Sequence, residues 1–361
     1  MQMRKKLEIN EEAKSNLIRY AAALLAVLLI GAVLIAVQGE NPGKAFSEII
    51  KGAFGSKINI GNTLRHTMPC ILTAIAAAVA FKSGVNNLGL EGQIYFGALT
   101  AAVLGYAFKL PPGVHVIVCL LASGVAGMLY ALLPAMLKLV FQVDELISTL
   151  MFNFIAVLLT EYITMWWIMG GRGSDGSNAI STPPMAASAR LPGLIQGSSA
   201  SLGVVLAFLV AVLVYLFYRY TVKGYELKQV GENIRFARAY GIPVARTFLG
   251  IFLMSGFISG LCGGIEMSGS YGSFTAKFIT NMGWDGILIA YIAKQNPIAI
   301  VVVSFLWGAL RAGSLQMERM TSLNKLTVNI IQMLFVLFAA IDYKALLDHM
   351  RQKHIRSREA G

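Results

Sequence analysis

Apolar runs separated by short polar intervals repeat along the whole chain, and this pattern predicts an all-α, polytopic membrane protein. A helix needs about 20 apolar residues to cross a hydrocarbon core of roughly 30 Å, and several runs reach that length. The runs predict about ten transmembrane helices within a membrane domain at residues 17–343. The predicted spans are 17–37, 63–81, 86–108, 114–137, 146–169, 199–218, 247–266, 283–293, 298–310 and 326–343.

The third and eighth predicted spans are the least regular. Residues 84–93 are too polar and glycine-rich to face lipid as a helix. Non-helical backbone at membrane depth is tolerated only where protein buries it or where it lines a water-filled path. The eighth span is short and ends at a polar segment with a proline at 294–297. We therefore expect an irregular third span and an eighth helix that does not cross alone as a straight helix.

Composition supports the membrane interpretation and narrows the chemistry. Hydrophobic residues make up 56% of the chain and charged residues only 13%, against roughly 25% charged in soluble domains. The net charge of +12 is dispersed over the loops that flank the spans, which indicates membrane topology and no nucleic-acid partner. Cys70, Cys119 and Cys262 lie inside apolar runs without paired spacing, so we expect small buried side chains and no metal site.

The distribution of Lys and Arg predicts the orientation of the chain. Positive residues concentrate in the segments that are inside if both termini are cytoplasmic. This predicts a cytoplasmic N-terminus at 1–16, an extracytoplasmic loop at 170–198, a cytoplasmic loop at 222–246 and a basic cytoplasmic tail at 344–361. The first apolar run is too long for a signal peptide and lacks a cleavage pattern, so we expect it to remain as a helix. The predicted location is the cell membrane.

Residues that could supply energy or catalysis are scarce. The phosphate-binding loop of an ATPase would read G-x-x-x-x-G-K-[ST], and the chain has no such run. Uphill transport would therefore draw on an ion gradient or on a separate ATPase. A gradient-driven carrier would use ionisable residues in its spans, and the candidates are Glu91, Glu161, Glu266 and Asp285. No Ser-His pair, aspartate pair or His-Glu-x-x-His zinc motif stands in the spans, so we predict no catalytic residues and no enzyme activity.

Two further patterns concern helix contacts. In the loop at 222–246, Leu227, Val230 and Ile234 fall at helical spacing among charged residues. A short amphipathic helix of this kind either inserts into a groove on a partner protein or rests on lipid headgroups. In the seventh span, glycines recur every four residues and predict a close helix-packing face, formed by Gly256, Gly260 and Gly264.

Four separated motifs resemble those of one transporter family. The loop GYELKQVGENIRFARAYGI at 224–242 resembles the cytoplasmic loop of ABC importer permeases of the branched-chain amino acid and monosaccharide class. FKSGVNNLGLEGQ at 81–93 resembles that family's Asn-Ile-Gly-x-Glu-Gly-Gln signature. VDELISTLMFN at 143–153, and GWDGI at 283–287 followed by GALRAG at 308–313, are similar to the nucleoside branch. The resemblance covers residues 60–345 in order.

The resemblance implies a permease subunit for nucleosides or related ribose-containing solutes, working by alternating access. It implies several partners: a second homologous permease, a cytosolic ABC ATPase, an extracytoplasmic solute-binding lipoprotein and the lipid bilayer. ATP and magnesium are expected on the ATPase, and no cofactor is expected in this chain. An ion-gradient-driven carrier and an ABC permease for a simple sugar such as ribose remain the alternatives.

The resemblance also assigns residues. Coupling to the ATPase is expected at Gly231, Glu232, Asn233, Arg235, Ala237, Arg238 and Gly241. We further expect a substrate path lined by Asn86, Asn87, Glu91, Gln93, Asn153 and Trp284, unless these side chains instead satisfy the backbone of a broken helix. The chain departs from the family at Phe236, where a small residue is common, and at residues 292–295.

Overall fold

The computed structural model describes residues 29–168, 180–278 and 281–323, with isolated positions up to residue 334. This part of the chain is helical, with two isolated β-bridges and no β-strand. Residues 29–37 are helical. The helices that follow are α1 (Pro42–Phe54), α2 (Lys57–Lys82), α3 (Leu90–Ala107), α4 (Val114–Phe141), α5 (Glu145–Tyr162), α6 (Gly203–Tyr220), α7 (Val222–Glu232), α8 (Ile234–Ala239), α9 (Val244–Glu266), α10 (Met282–Ile292) and α11 (Pro297–Met320).

Six helices among the described residues are long and apolar enough to cross a membrane. They are α2, α4, α5 with its π-helical extension to Ile168, α6, α9 with its π-helical extension to Tyr271, and α11. The predicted third and eighth spans correspond to α3, which opens with two polar side chains in its first turn, and to α10, which has 11 residues. The predicted segments at 1–16 and 344–361, most of the spans at 17–37 and 326–343, and residues 170–179 of the predicted outer loop lie outside the described residues.

The chain divides into two compact units. Residues 50–313 form the larger unit, in which α9 packs against α2, α3 and α4. The smaller unit comprises the rest of the chain, and there the Glu40 carboxylate accepts hydrogen bonds from the backbone and hydroxyl of Ser322 at 2.9 and 2.8 Å. These bonds favour the ionised form and hold the pKa of Glu40 below its usual range.

Glycines bring α9 and α4 into backbone contact. A Cβ at Gly260 would overlap the Ser123 carbonyl oxygen and lie 2.8 Å from the Cα of Gly127. A Cβ at Gly256 would stand 2.5 Å from the Ala131 side chain, and one at Gly264 would overlap the Ser123 hydroxyl. Small residues therefore determine how closely these two helices approach, as they do at many membrane helix interfaces.

Candidate functional site

The break between α2 and α3 is shorter than the sequence predicts. Helix α2 ends at Lys82, Gly84 turns the chain with a φ of 72°, and α3 already begins at Leu90. The predicted irregular segment at 84–93 is therefore correct only as far as Gly89, and Glu91 and Gln93 lie in the first helical turn. The helix can begin this early because most of its first turn, including the polar Gln93, is buried in protein, and Glu91 is half-buried.

The side chain of Asn87 is buried at the centre of the break and forms hydrogen bonds in three directions. Its amide nitrogen donates to the Ser255 hydroxyl at 2.9 Å and to the Gln93 side chain at 3.3 Å. Its oxygen accepts from the Gln93 amide at 3.1 Å and from the Gly89 backbone N–H at 3.0 Å. Buried polar groups need such partners, so this network fixes the loop against α9.

Asn153, on α5, supports the same break from the other side. Its amide donates to the Leu88 carbonyl at 2.8 Å, and its oxygen accepts from the Gly92 N–H at 2.8 Å. The side chain therefore replaces helical hydrogen bonds that the broken backbone cannot make internally. Asn87, Gln93 and Asn153, three of the six predicted path residues, thus bond to one another or to the backbone around the break.

The other three predicted path residues are more accessible. Asn86 and Glu91 are half-buried, and Trp284 is 39% exposed on α10. Glu91 packs against the start of α10, where a Cβ at Gly283 would lie 2.5 Å from the Glu91 Cγ. One carboxylate oxygen of Glu91 is buried without a hydrogen-bond partner among the described residues.

A charged cavity of about 90 Å³ lies where α2, α10 and α11 meet the end of α9. Five of its lining side chains are polar or charged, and three others complete the wall: Arg65, His66, Tyr271, Asp285, Arg311, Pro69, Cys70 and Met282. Asp285 was predicted only as a possible carrier residue and as part of a family motif, and neither arginine was predicted as a site residue. The available signal was a charged residue inside an apolar run, since Arg65 lies within the predicted span 63–81.

Each arginine at the cavity faces a carboxylate from a distant part of the chain. Arg65 donates to Glu266 at 2.8 Å, and the Arg65 side chain is 11% exposed while that of Glu266 is fully buried. Arg311 donates to Asp285 at 2.7 Å, with side-chain exposures of 29% and 17%. Charges at membrane depth are costly unless they are paired, so both pairs offset the desolvation of their members.

Two irregularities of the helical backbone lie at the wall of this cavity, a proline in α2 and a π-helical turn after α9. Arg65 and Pro69 lie one turn apart on α2, and a proline lacks the N–H that would bond to the Arg65 carbonyl. Helix α9 continues as a π-helical turn from Met267 to Tyr271, a form often found at functional sites. This turn places the Tyr271 ring beneath the Arg65 guanidinium, 5.3 Å from its carbon to the ring centre.

The predicted coupling loop folds into two helices where the sequence pattern predicted a single amphipathic helix. Asn233 is extended between α7 and α8, and its side chain accepts from the Phe236 N–H at 3.0 Å and caps α8. Leu227 and Val230 are buried, but Ile234 is 48% exposed because the break at Asn233 turns it away from them. The single amphipathic helix predicted for this loop is therefore interrupted at Asn233, and Ile234 begins the second helix.

Of the predicted coupling residues, Ala237 alone is buried. Gly231 is exposed, but its backbone lies against the end of α2, where a Cβ at Gly231 would lie 2.8 Å from the Ser83 Cα. The other exposed residues are Glu232, Asn233, Arg235, Arg238 and Gly241. Phe236 is 44% exposed in the same segment and packs against Tyr240, with ring centres 4.4 Å apart and the ring planes tilted by 35°.

Comparisons of the chain with a family model and with individual known proteins agree on one family. Residues 59–339 match the model of the branched-chain amino acid transport system permease component. The chain is 32% identical to the guanosine ABC transporter permease protein NupP of Bacillus subtilis, over 91% of this chain and 94% of the relative. It is 28% identical to the glucose ABC transporter permease protein TsgB13 of Haloferax volcanii, over 87% and 84%. It is 25% identical to the nucleoside ABC transporter permease protein NupB of Lactococcus lactis, over 98% of both chains.

The family match covers most of the chain, including the break between α2 and α3, the charged cavity and the segment α7–α8. Its members are the membrane components of ABC transporters, which move solutes and carry no catalytic activity of their own. The chain therefore belongs to the branched-chain amino acid transport system permease family, as a membrane-spanning transport subunit of an ABC importer.

Proposed function

We propose that this chain forms the translocation path of an ATP-driven importer for nucleosides. The observation that carries the proposal is the similarity to a guanosine permease along 91% of the chain. The similarity to a nucleoside permease over 98% of both chains supports the same solute class. The solute passes through the membrane by alternating access, while selectivity comes mainly from an extracytoplasmic binding lipoprotein.

In the proposed topology the protein lies in the plasma membrane. It has about ten transmembrane helices, and both termini are in the cytoplasm. Six helices of sufficient length and apolarity, together with α3 and α10, support eight of the crossings or partial crossings. The remaining two are the spans expected at 17–37 and 326–343. The excess of Lys and Arg in the expected cytoplasmic segments supports this orientation.

The segment α7–α8 is the proposed docking site for the cytosolic ATPase, which binds ATP and magnesium. Its support is an exposed surface formed by Arg235, Phe236 and Arg238 on a short helix with a defined cap. Aromatic and arginine side chains are enriched at the centres of protein interfaces. The contact of Gly231 with the end of α2 supports a route by which ATPase closure reaches the spans.

A second, homologous permease is the proposed partner within the membrane. Bacillus subtilis has two guanosine permease proteins similar to this chain, NupP and NupQ, which supports a pair of related subunits. The translocation path then lies between or within the two subunits. Of the residues expected along it, we retain Asn86, Glu91 and Trp284, while the hydrogen bonds of Asn87, Gln93 and Asn153 favour a role in holding the break of the third span.

Two alternatives differ in energy source or solute. A secondary carrier needs ionisable groups that exchange protons or ions, but Glu266 and Asp285 are each paired with an arginine, which disfavours that exchange. A simple-sugar importer is favoured by the similarity to a glucose permease. The carrier predicts uptake that depends on the ion gradient, and the simple-sugar importer predicts uptake of sugar without nucleoside.

Uptake by intact cells tests the proposal. Cells with and without the gene are given radiolabelled guanosine, uridine, ribose or glucose, with ATP depleted in one arm and the proton gradient collapsed in another. We expect gene-dependent nucleoside uptake that is lost on ATP depletion and retained when the gradient is collapsed. Uptake that follows the gradient would replace the importer with a secondary carrier, and sugar uptake without nucleoside uptake would change the solute class.

A further inference from the structure

The charged cavity combines three properties expected of a solute-contact site. It is lined by the side chains of Arg65, Asp285 and Arg311, which remain between 11% and 29% exposed despite their ion pairs. It has about 90 Å³ of space, room for roughly three water molecules, so it admits part of a solute and not a whole nucleoside. It lies within or beside predicted spans, where charged side chains mark solute pathways more often than they serve packing.

The donor and acceptor geometry fits a pair of adjacent hydroxyl groups. A carboxylate accepts hydrogen bonds from hydroxyls, and a guanidinium donates to their oxygen atoms through several N–H groups at once. Asp285 and Arg311 stand next to each other across the α10–α11 contact, held by a 2.7 Å bond. A solute that enters the cavity with two neighbouring hydroxyls therefore meets an acceptor and a donor at the same point.

An aromatic surface lies beside these polar groups. Tyr271 lines the cavity and is 42% exposed, while Arg65 covers one face of its ring. Flat heterocycles stack on aromatic rings and on guanidinium planes. Trp284, the aromatic residue of the predicted substrate path, does not line this cavity.

We propose that Asp285 and Arg311 bind the vicinal hydroxyls of a ribose-containing solute during transport, with the base of the solute beside Tyr271. The proposal rests on the nucleoside importer function and adds a specificity site within the permease itself. Arg65 is a positioning residue in this arrangement, since its bond to the buried Glu266 holds its guanidinium over the Tyr271 ring.

Uptake of two nucleosides by the intact importer tests the site. Cells that express the complete importer receive radiolabelled guanosine or 2′,3′-dideoxyguanosine, which lacks both ribose hydroxyls. The uptake ratio of the two is compared between the wild type, Asp285→Asn and Arg311→Lys. Because every strain has the same binding protein, a change in the ratio between strains reports on the permease.

We expect the preference for guanosine to fall about ten-fold in Asp285→Asn, since the carboxylate acceptor is lost. Arg311→Lys keeps the charge but loses the planar donor group, so the preference should fall in the same direction. The matched control is Glu145→Gln, which removes the carboxylate of the 2.6 Å Lys138–Glu145 pair, away from the cavity. This control should leave the ratio at the wild-type value whatever its effect on total uptake.

A purely structural ion pair gives a different result. In that case Asp285→Asn and Arg311→Lys would lower uptake of both nucleosides equally, and the double variant Asp285→Arg with Arg311→Asp would restore uptake with the wild-type ratio. Either result would overturn the hydroxyl site while leaving the importer function intact. A wild-type importer that takes up no nucleoside would instead overturn the proposed function, and the hydroxyl site with it.

Discussion

Gly231 in α7 packs directly against Gly84, the residue that turns the chain between α2 and α3. A Cβ at Gly84 would lie 3.2 Å from the Gly231 Cα, and Gly84 has a φ of 72°, which other residues rarely adopt. The break continues through Val85 to Asn87, which bonds to α9 through Ser255. A displacement of α7 would therefore act first on the break between α2 and α3, where the backbone is not helical.

Gly231→Ala tests this contact. The added methyl group would overlap the Lys82 carbonyl oxygen and lie 2.8 Å from the Ser83 Cα, so α7 must shift. Overpacking of this kind costs about 1–3 kcal/mol, and we expect reduced ATP-driven uptake with a lower thermal midpoint of the purified protein. The control is Gly250→Ala, where an added Cβ meets nothing within 4 Å. Equal uptake by the two variants would argue against a functional role for the contact.

Gly260→Ala should destabilise the contact between α9 and α4. The new methyl group would overlap the Ser123 carbonyl and stand 2.8 Å from the Gly127 Cα, and backbone atoms cannot move aside as a flexible side chain can. We expect a lower thermal midpoint in detergent and less protein in the membrane, with Gly250→Ala again close to wild type. An unchanged thermal midpoint would mean that α9 and α4 can move apart to accommodate the methyl group without loss of stability.

Asn153→Ala should destabilise the break between α2 and α3. It removes the partners of the Leu88 carbonyl and the Gly92 N–H, and each buried polar group left without a partner costs about 1–3 kcal/mol. Thermal unfolding of the purified protein measures the effect. Asn86→Ala, a change of the same size at a half-buried amide in the break, should lower the midpoint much less. The reverse order of stability would contradict the assignment of Asn153 to backbone support.

Arg235→Glu should weaken binding of the ATPase without unfolding the permease. The side chain is exposed on α8, so charge reversal changes the surface offered to a partner and leaves the core untouched. Charge reversal at an interface costs several kcal/mol where like charges meet. Co-purification of the ATPase with the tagged permease measures it, and we expect a clear loss.

Lys109→Glu is the matched control for that reversal. It reverses an exposed charge between α3 and α4, at the end of the spans expected to face outside. The ATPase should co-purify with this variant as with the wild type. Loss of the ATPase from both variants, or from neither, would remove α8 as its docking site.

Much of the fold follows from local chemistry and was predictable. Apolar runs of about 20 residues form helices in a membrane, because helices satisfy their own backbone hydrogen bonds, and six such helices are found among the described residues. The polarity of residues 84–93 predicted an irregular third span, although its helix begins at Leu90. The break at Asn233 was not predicted. The apolar residues keep the same spacing in the sequence whether Asn233 continues one helix or caps a second one.

The sequence by itself determined the membrane class, the approximate positions of the six apolar helices among the described residues and the family, since each depends on the order of residues along the chain. Only the tertiary structure decided which polar side chains meet. It directed Asn87 and Asn153 to the backbone of the break and brought Arg65 to Glu266 and Arg311 to Asp285. Arg65 and Glu266 are 201 residues apart in the chain, and no local spacing encodes that contact. Such pairing is decided by the packing of whole helices, because desolvated charges are tolerated only where the fold supplies a partner.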